Sequence, residues 1–308
     1  MRHKKERKNA MEETFNITVE MLNVKGACAS GMRAFLKEFP REQYPDGADY
    51  QEVLNRCAEH ERANYAAWLI QKFGATNTTL SVDKINTDGY VFFAGRIEAR
   101  GEIRCKAIMA GRDIEAGEGI EAGCGIEAGR DIEAGWGIEA GCEIEAGEGI
   151  KAGWGIEAGW GIEAGEGIKA GEGIKAGWGI EAGWGIEAGC GIEAGRDIEA
   201  GWGIEAGCEI EAGEGIKAGW GIEAGWGIEA GESIEAGRDI EAGEGIKAGR
   251  GIKAGEGIKA GRGIKAGEDF GVYAGLAVRL SDKSQYAKIT AKEKPANIIC
   301  GEWVPFDD

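Results

Sequence analysis

The sequence predicts a mainly β fold, a single-stranded parallel β-helix built from six-residue rungs, joined to a small α-helical N-terminal domain. Three observations predict it. From Ile114 to Ile264 an isoleucine stands at every sixth position without interruption. Each isoleucine is followed by Glu or Lys and then Ala, so the period-two alternation of a strand puts Ile and Ala on one side and the charged residue on the other. The fourth position is Gly from Gly117 to Gly267 and the sixth is mostly Gly, which supplies a corner after each short strand. One isoleucine per six residues, interrupted by glycines, cannot form the apolar stripe of a helix.

In chain order, residues 1–13 read as a disordered basic tail. Residues 14–76 read as a small helical domain: GMRAFLKEF, DYQEVLNRCAEH and ERANYAAWLIQKF carry apolar residues at helical spacing (Val53, Leu54, Cys57; Tyr65, Trp68, Leu69) and end at Gly74. Residues 77–280 are expected to form the β-helix. It enters through Tyr90, Val91, Phe92 and Phe93 and the looser rungs at Ile97, Ile103 and Ile108, and leaves through Phe270, Val272, Leu276 and Val278. Residues 281–308 read as a C-terminal β cap, with Pro295 and Pro305 unsuited to further pairing. A single coil buries too little to offset its ordering entropy. Such a fold therefore exists only as a stack with its ends capped or extended.

The 308 residues include 56 Gly and carry a net charge of −18, yet 43% are hydrophobic, so the chain has the apolar surface to fold. The balance argues against nucleic acid and anionic membranes as partners, because both require a positive surface. It leaves a basic protein or another copy of the chain. No secretory signal and no membrane span is readable, and the chain is expected to be cytoplasmic, with its eight cysteines as free thiols.

The fifth position varies among Trp, Glu, Arg and Cys. From Cys124 it runs Cys, Arg, Trp, Cys, Glu, Trp, Trp, Glu, and the same eight letters recur from Cys190. This 66-residue duplication spans eleven rungs, which suggests growth from interchangeable units in which length and rigidity outweigh any one face.

The repeat resembles the hexapeptide β-helix family, whose unit begins with an aliphatic residue followed by Gly, Ala, Glu or Asp. The stretch GRIEARGEIRCKAIMAGRDIEAG resembles the triangular β-helix of bactofilins. Three rungs per coil, as in the hexapeptide family, implies about 18 residues per turn, roughly ten coils and a rod of about 50 Å. Isoleucines such as Ile114, Ile120, Ile126, Ile186, Ile204 and Ile264 would then form the core. Trp136 would stack on Trp154, Trp160 on Trp178, and Trp184 on Trp202 and Trp220, as possible surface ladders. Cys124 would meet Cys142, Cys190 would meet Cys208, and opposite charges would stack at Arg238/Glu256, Glu244/Arg262 and Arg250/Glu268.

The bactofilin resemblance implies end-to-end assembly. The hexapeptide family resemblance implies an acyltransferase that uses a histidine on its coils, and residues 97–280 contain none; His3 and His60 are the chain's two. Catalytic, cofactor and metal residues are accordingly assigned as none, with no cofactor expected. The stacked cysteine pairs could chelate a soft metal or form disulfides, yet their spacing is not that of a zinc site and uninvolved thiols are the expectation, the glutamates read as a solvated face, and Lys151, Lys169, Lys175 and Lys217 are expected to offset the fifth-position Glu three residues before each. The expected role is a non-enzymatic structural or protein-interaction rod, self-assembling end to end or side by side. The alternatives are an acidic mimic of duplex DNA that binds a DNA-binding protein, as acidic pentapeptide-repeat solenoids do, and a degenerate hexapeptide-repeat transferase.

Overall fold

The computed structural model describes residues 15–277 and 283–306. The tail expected over residues 1–13 and part of the expected cap lie outside them. The described residues form a parallel β-solenoid whose strands fall on three faces of 11, 12 and 13 strands, about twelve turns in all. Each strand of the regular array pairs in parallel with the strand 18 residues away: Ile120 faces Ile138, Ile126 faces Ile144 and Ile132 faces Ile150. At ~4.8 Å per strand the stack is roughly 55 Å long. It exceeds the expected ten coils because less regular segments at both ends also pair. Thr79–Val82, Ile85–Asn86 and Tyr90–Phe93 begin the three faces, and Lys288–Ala291 with Glu302–Pro305 continue the 13-stranded one.

The interior consists of columns. Ile114, Ile120, Ile126, Ile186 and Ile204 are at most 1% exposed, Ile264 near the end is 6% exposed, and the third-position alanines are buried beside them. Between strands the backbone keeps the ladder going around each corner. Gly135 N–H donates to Ala116 O at 3.0 Å, Trp154 N–H to Trp136 O at 3.1 Å, and Ile138 N–H to Gly155 O at 3.0 Å.

The two corner glycines differ. None of the array's corner glycines has a positive φ, so the turn does not depend on left-handed backbone. The fourth position needs glycine because the coils touch there: a Cβ on Gly135 would land on the carbonyl oxygen of Gly117, and the same holds along most of the array. At the sixth position a Cβ on Gly137 would sit 3.4 Å from Gly155 O, an ordinary contact. Side chains therefore occur there, and three of them serve the ladder. Asp131, Asp197 and Asp239 each accept the N–H of the sixth-position glycine one coil on, at 2.9, 2.9 and 2.8 Å.

The helical domain contains α1 (Val19–Val24), α2 (Ala29–Glu38), α3 (Tyr50–Glu59) and α4 (Ala63–Phe73), with a short antiparallel pair, Asn16–Ile17 with Ala48–Asp49. Thr18 caps α1 by accepting the Met21 N–H, Asp49 caps α3 through the Glu52 N–H, and α4 stops at Gly74 with φ +83°. Its core of Ile17, Leu22, Phe35, Tyr50, Leu54 and Leu69 extends onto Phe92, Ala94 and Met109 of the first coils. The domain thus covers the start of the 12-stranded face. Gln51 of α3 fits the edge strand as a further strand would: its Nε2 donates to Phe92 O at 2.8 Å and its Oε1 accepts Ala94 N–H at 2.9 Å.

Candidate interaction surface

Fifth-position residues project from the three corners and stack at the 18-residue register. One corner carries Trp136 and Trp154, then Cys190, Cys208 and Trp226. The next carries Cys124 and Cys142, Trp160 and Trp178, then Arg196. The third carries Arg130 and Glu148, Trp184, Trp202 and Trp220, then Arg238. The ladders expected from the sequence are present, with centroid separations of 5.7 Å (Trp136/Trp154), 5.8 Å (Trp160/Trp178), 6.0 Å (Trp184/Trp202) and 5.7 Å (Trp202/Trp220). Interplanar angles of 10–18° make each pair offset-stacked.

All eight tryptophans of the array remain 49–63% exposed. Trp202 is stacked on both faces and six others on one, the second faces of Trp178 and Trp220 are covered by the guanidinium groups of Arg196 and Arg238, each 4.7 Å from the ring centroid, and Trp226 lies outside these stacks. Solvent meets the ring edges and the remaining faces. Because the ladders occupy successive corners at successive heights, the aromatic surface climbs around the middle of the rod.

Charges run along the same registers. Arg238 meets Glu256 at 3.2 Å and Arg262 meets Glu244 at 3.0 Å, whereas Arg250 turns to Glu232 at 2.9 Å rather than to Glu268. The strand lysines are paired differently from the sequence expectation. Lys169 meets Glu187 at 2.6 Å, Lys175 meets Glu193 at 3.0 Å and Lys217 meets Glu199 at 3.8 Å, all one coil away, because ladder neighbours are closer than the preceding corner. On the 12-stranded face Glu127, Glu145, Glu163, Glu181 and Glu199 succeed one another without a lysine between them. Burial, then the carboxylates of Glu145 and Glu143, push the Glu127 carboxyl up. Glu145 is raised by burial and by Glu163. Glu148 is held below the ordinary range by its hydrogen bonds from Arg130.

His60 sits in the helical domain, 3.1 Å from Glu38. Among the described residues no three His, Cys, Asp or Glu side chains converge as metal ligands, and no helix is long and apolar enough to cross a membrane.

Fold and surface together define a parallel β-solenoid with a helical domain over its first coils and exposed tryptophans on the three corners of its middle. Residues 11–77 match the family model of the YdhT N-terminal domain, which takes in α1 to α4 and stops short of Thr79. No curated protein and no solved structure matches the chain.

Proposed function

We propose that this chain is a non-enzymatic interaction rod that associates side by side with copies of itself through the tryptophan belt. The observation that carries this reading is the eight half-exposed tryptophans on three corners. Contiguous exposed aromatic surface marks protein contact sites, and Trp is enriched in them. Lateral packing is favoured over the end-to-end stacking of bactofilin-like repeats by the state of the ends. Gln51 already occupies the edge of the strand Tyr90–Phe93, and the last strand on the 13-stranded face ends in Pro305, which has no N–H to donate. Light scattering on a sizing column across a concentration range tests it. Mass rising above the 32.6 kDa of one chain supports the reading, and a single 32.6 kDa species at every concentration overturns it.

A second reading, capture of a basic protein in the manner of a DNA mimic, draws on the glutamate row of the 12-stranded face. It predicts partner binding that weakens steeply with salt and is lost when Glu163 and Glu181 become Gln, with the tryptophans unimportant. An acyltransferase role is disfavoured by a coil array without histidine. A cytoplasmic location accords with the free thiols expected of the chain.

A further inference from the structure

Four of the eight cysteines form two pairs that the fold itself creates. Cys142 N–H donates to Cys124 O at 3.0 Å and Cys208 N–H donates to Cys190 O at 2.9 Å, so the members of each pair occupy the same corner position in adjacent coils. Their thiols are exposed or partly exposed, unlike the buried Cys57 and Cys105. Partial burial and the neighbouring Cys124 raise the Cys142 thiol above its ordinary value, and burial and Cys190 do the same for Cys208, as expected where two thiolates would otherwise face each other. The duplication carries the pair to a different corner, and each time the residue above is a tryptophan, Trp160 or Trp226.

We propose that Cys124/Cys142 and Cys190/Cys208 are two separate, two-coordinate sites for a soft monovalent cation of the Cu(I) class. Coil spacing selects this chemistry. In-register strands lie ~4.8 Å apart, and parallel side chains carry that spacing to the Cβ atoms, just outside the roughly 3.5–4.5 Å usual between the Cβ atoms of a disulfide. A linear thiolate–metal–thiolate unit places the ion between the two sulfurs and bridges parallel side chains of adjacent coils without bending the backbone. Tetrahedral zinc wants four ligands, and no third His, Cys, Asp or Glu converges on either pair among the described residues. Soft thiolates select Cu(I). Binding exchanges protons for the ion: two thiols and one M⁺ give one anionic bis-thiolate complex and two H⁺, with no change of oxidation state.

The test is anaerobic titration of the full chain with Cu(I) held by a chromophoric chelator, followed by X-ray absorption at the copper edge. Two ions per chain are expected, each with two sulfur neighbours and each releasing two protons. Cys124→Ser or Cys190→Ser should lower the stoichiometry to one, and the double variant should abolish tight uptake. The corner position of these thiols leaves the fold intact, which circular dichroism checks, and Cys142→Ser with Cys208→Ser repeats the test from the other member of each pair. Unchanged uptake by the double variants would overturn the proposal. So would ready closure of both pairs by diamide, read as four thiols lost to alkylation, since it would show the spacing to suit a disulfide.

Discussion

The inner columns and the corner columns of the solenoid have the same 18-residue repeat but obey different constraints. Inside, Ile, Ala and the fourth-position Gly scarcely vary, because the isoleucine fills a closed core and the glycine lies against the backbone of the next coil. At the corners the fifth position takes Trp, Glu, Arg or Cys, and each choice is matched only to its neighbour one coil away. The difference separates what makes the fold from what the fold presents. The interior supplies length and stiffness, and the corners can be rewritten by duplication without disturbing it.

Charge placed in the interior should have the largest effect. Ile186→Asp buries an unpaired carboxylate in the Ile column and should cost about 4 kcal/mol or more, with cooperative loss of β-type circular dichroism on mild heating. An unchanged spectrum and melting point would refute the inward assignment.

The two glycine positions give a sharper contrast. Gly135→Ala drives a methyl against Gly117 O and should cost about 1–3 kcal/mol in denaturant unfolding. Gly137→Ala meets only ordinary contact and should be neutral or stabilise by about 0.4–1 kcal/mol. Equal losses at both would show that the corner, and not coil contact, demands glycine.

Asp131→Ala removes one hydrogen bond to Gly149 N–H and should cost about 0.5–1.5 kcal/mol, with faster exchange of that amide. A variant as stable as the parent would remove Asp131 from the ladder.

The smallest effect is electrostatic. The folded-state carboxyl of Glu127 lies above its unfolded value, so its contribution favours folding at low pH and is lost as pH rises through the folded value. Glu148 has the opposite sign, its contribution being lost as pH falls. Glu127→Gln should therefore raise stability at pH 7 and weaken the local gain on acidification, which amide exchange in Ile126–Ala128 would read.

Much of this was legible because the repeat is strict. The inward isoleucines, the strand spacing and the tryptophan stacks follow from period alone once three rungs close a coil. The first coils are less readable, since Leu80 and Ile85 enter the faces without the Ile-Glu-Ala pattern, whereas the strands around Ile289 and Trp303, expected as a β cap, continue a face of the solenoid. Helix α1 went unnoticed because six residues hold little periodicity, although Thr18 before Val19 is a cap signal. The two corner glycines look alike in sequence, and only the coil below distinguishes them. Gln51 was silent too: its role depends on Phe92 and Ala94, more than 40 positions away. The lysine partners were misassigned because proximity along the chain competes poorly with in-register neighbours.

If the rods associate through their corners, the tryptophans become the contact surface when molecules meet. Acrylamide quenching of tryptophan fluorescence, recorded with light scattering over the same concentration range, measures this. Quenching should fall as mass rises, and Trp184→Glu with Trp202→Glu should keep the fold and suppress both changes. Rising mass with quenching unaltered, or association that survives those substitutions, would contradict it and move the interface to the ends of the rod.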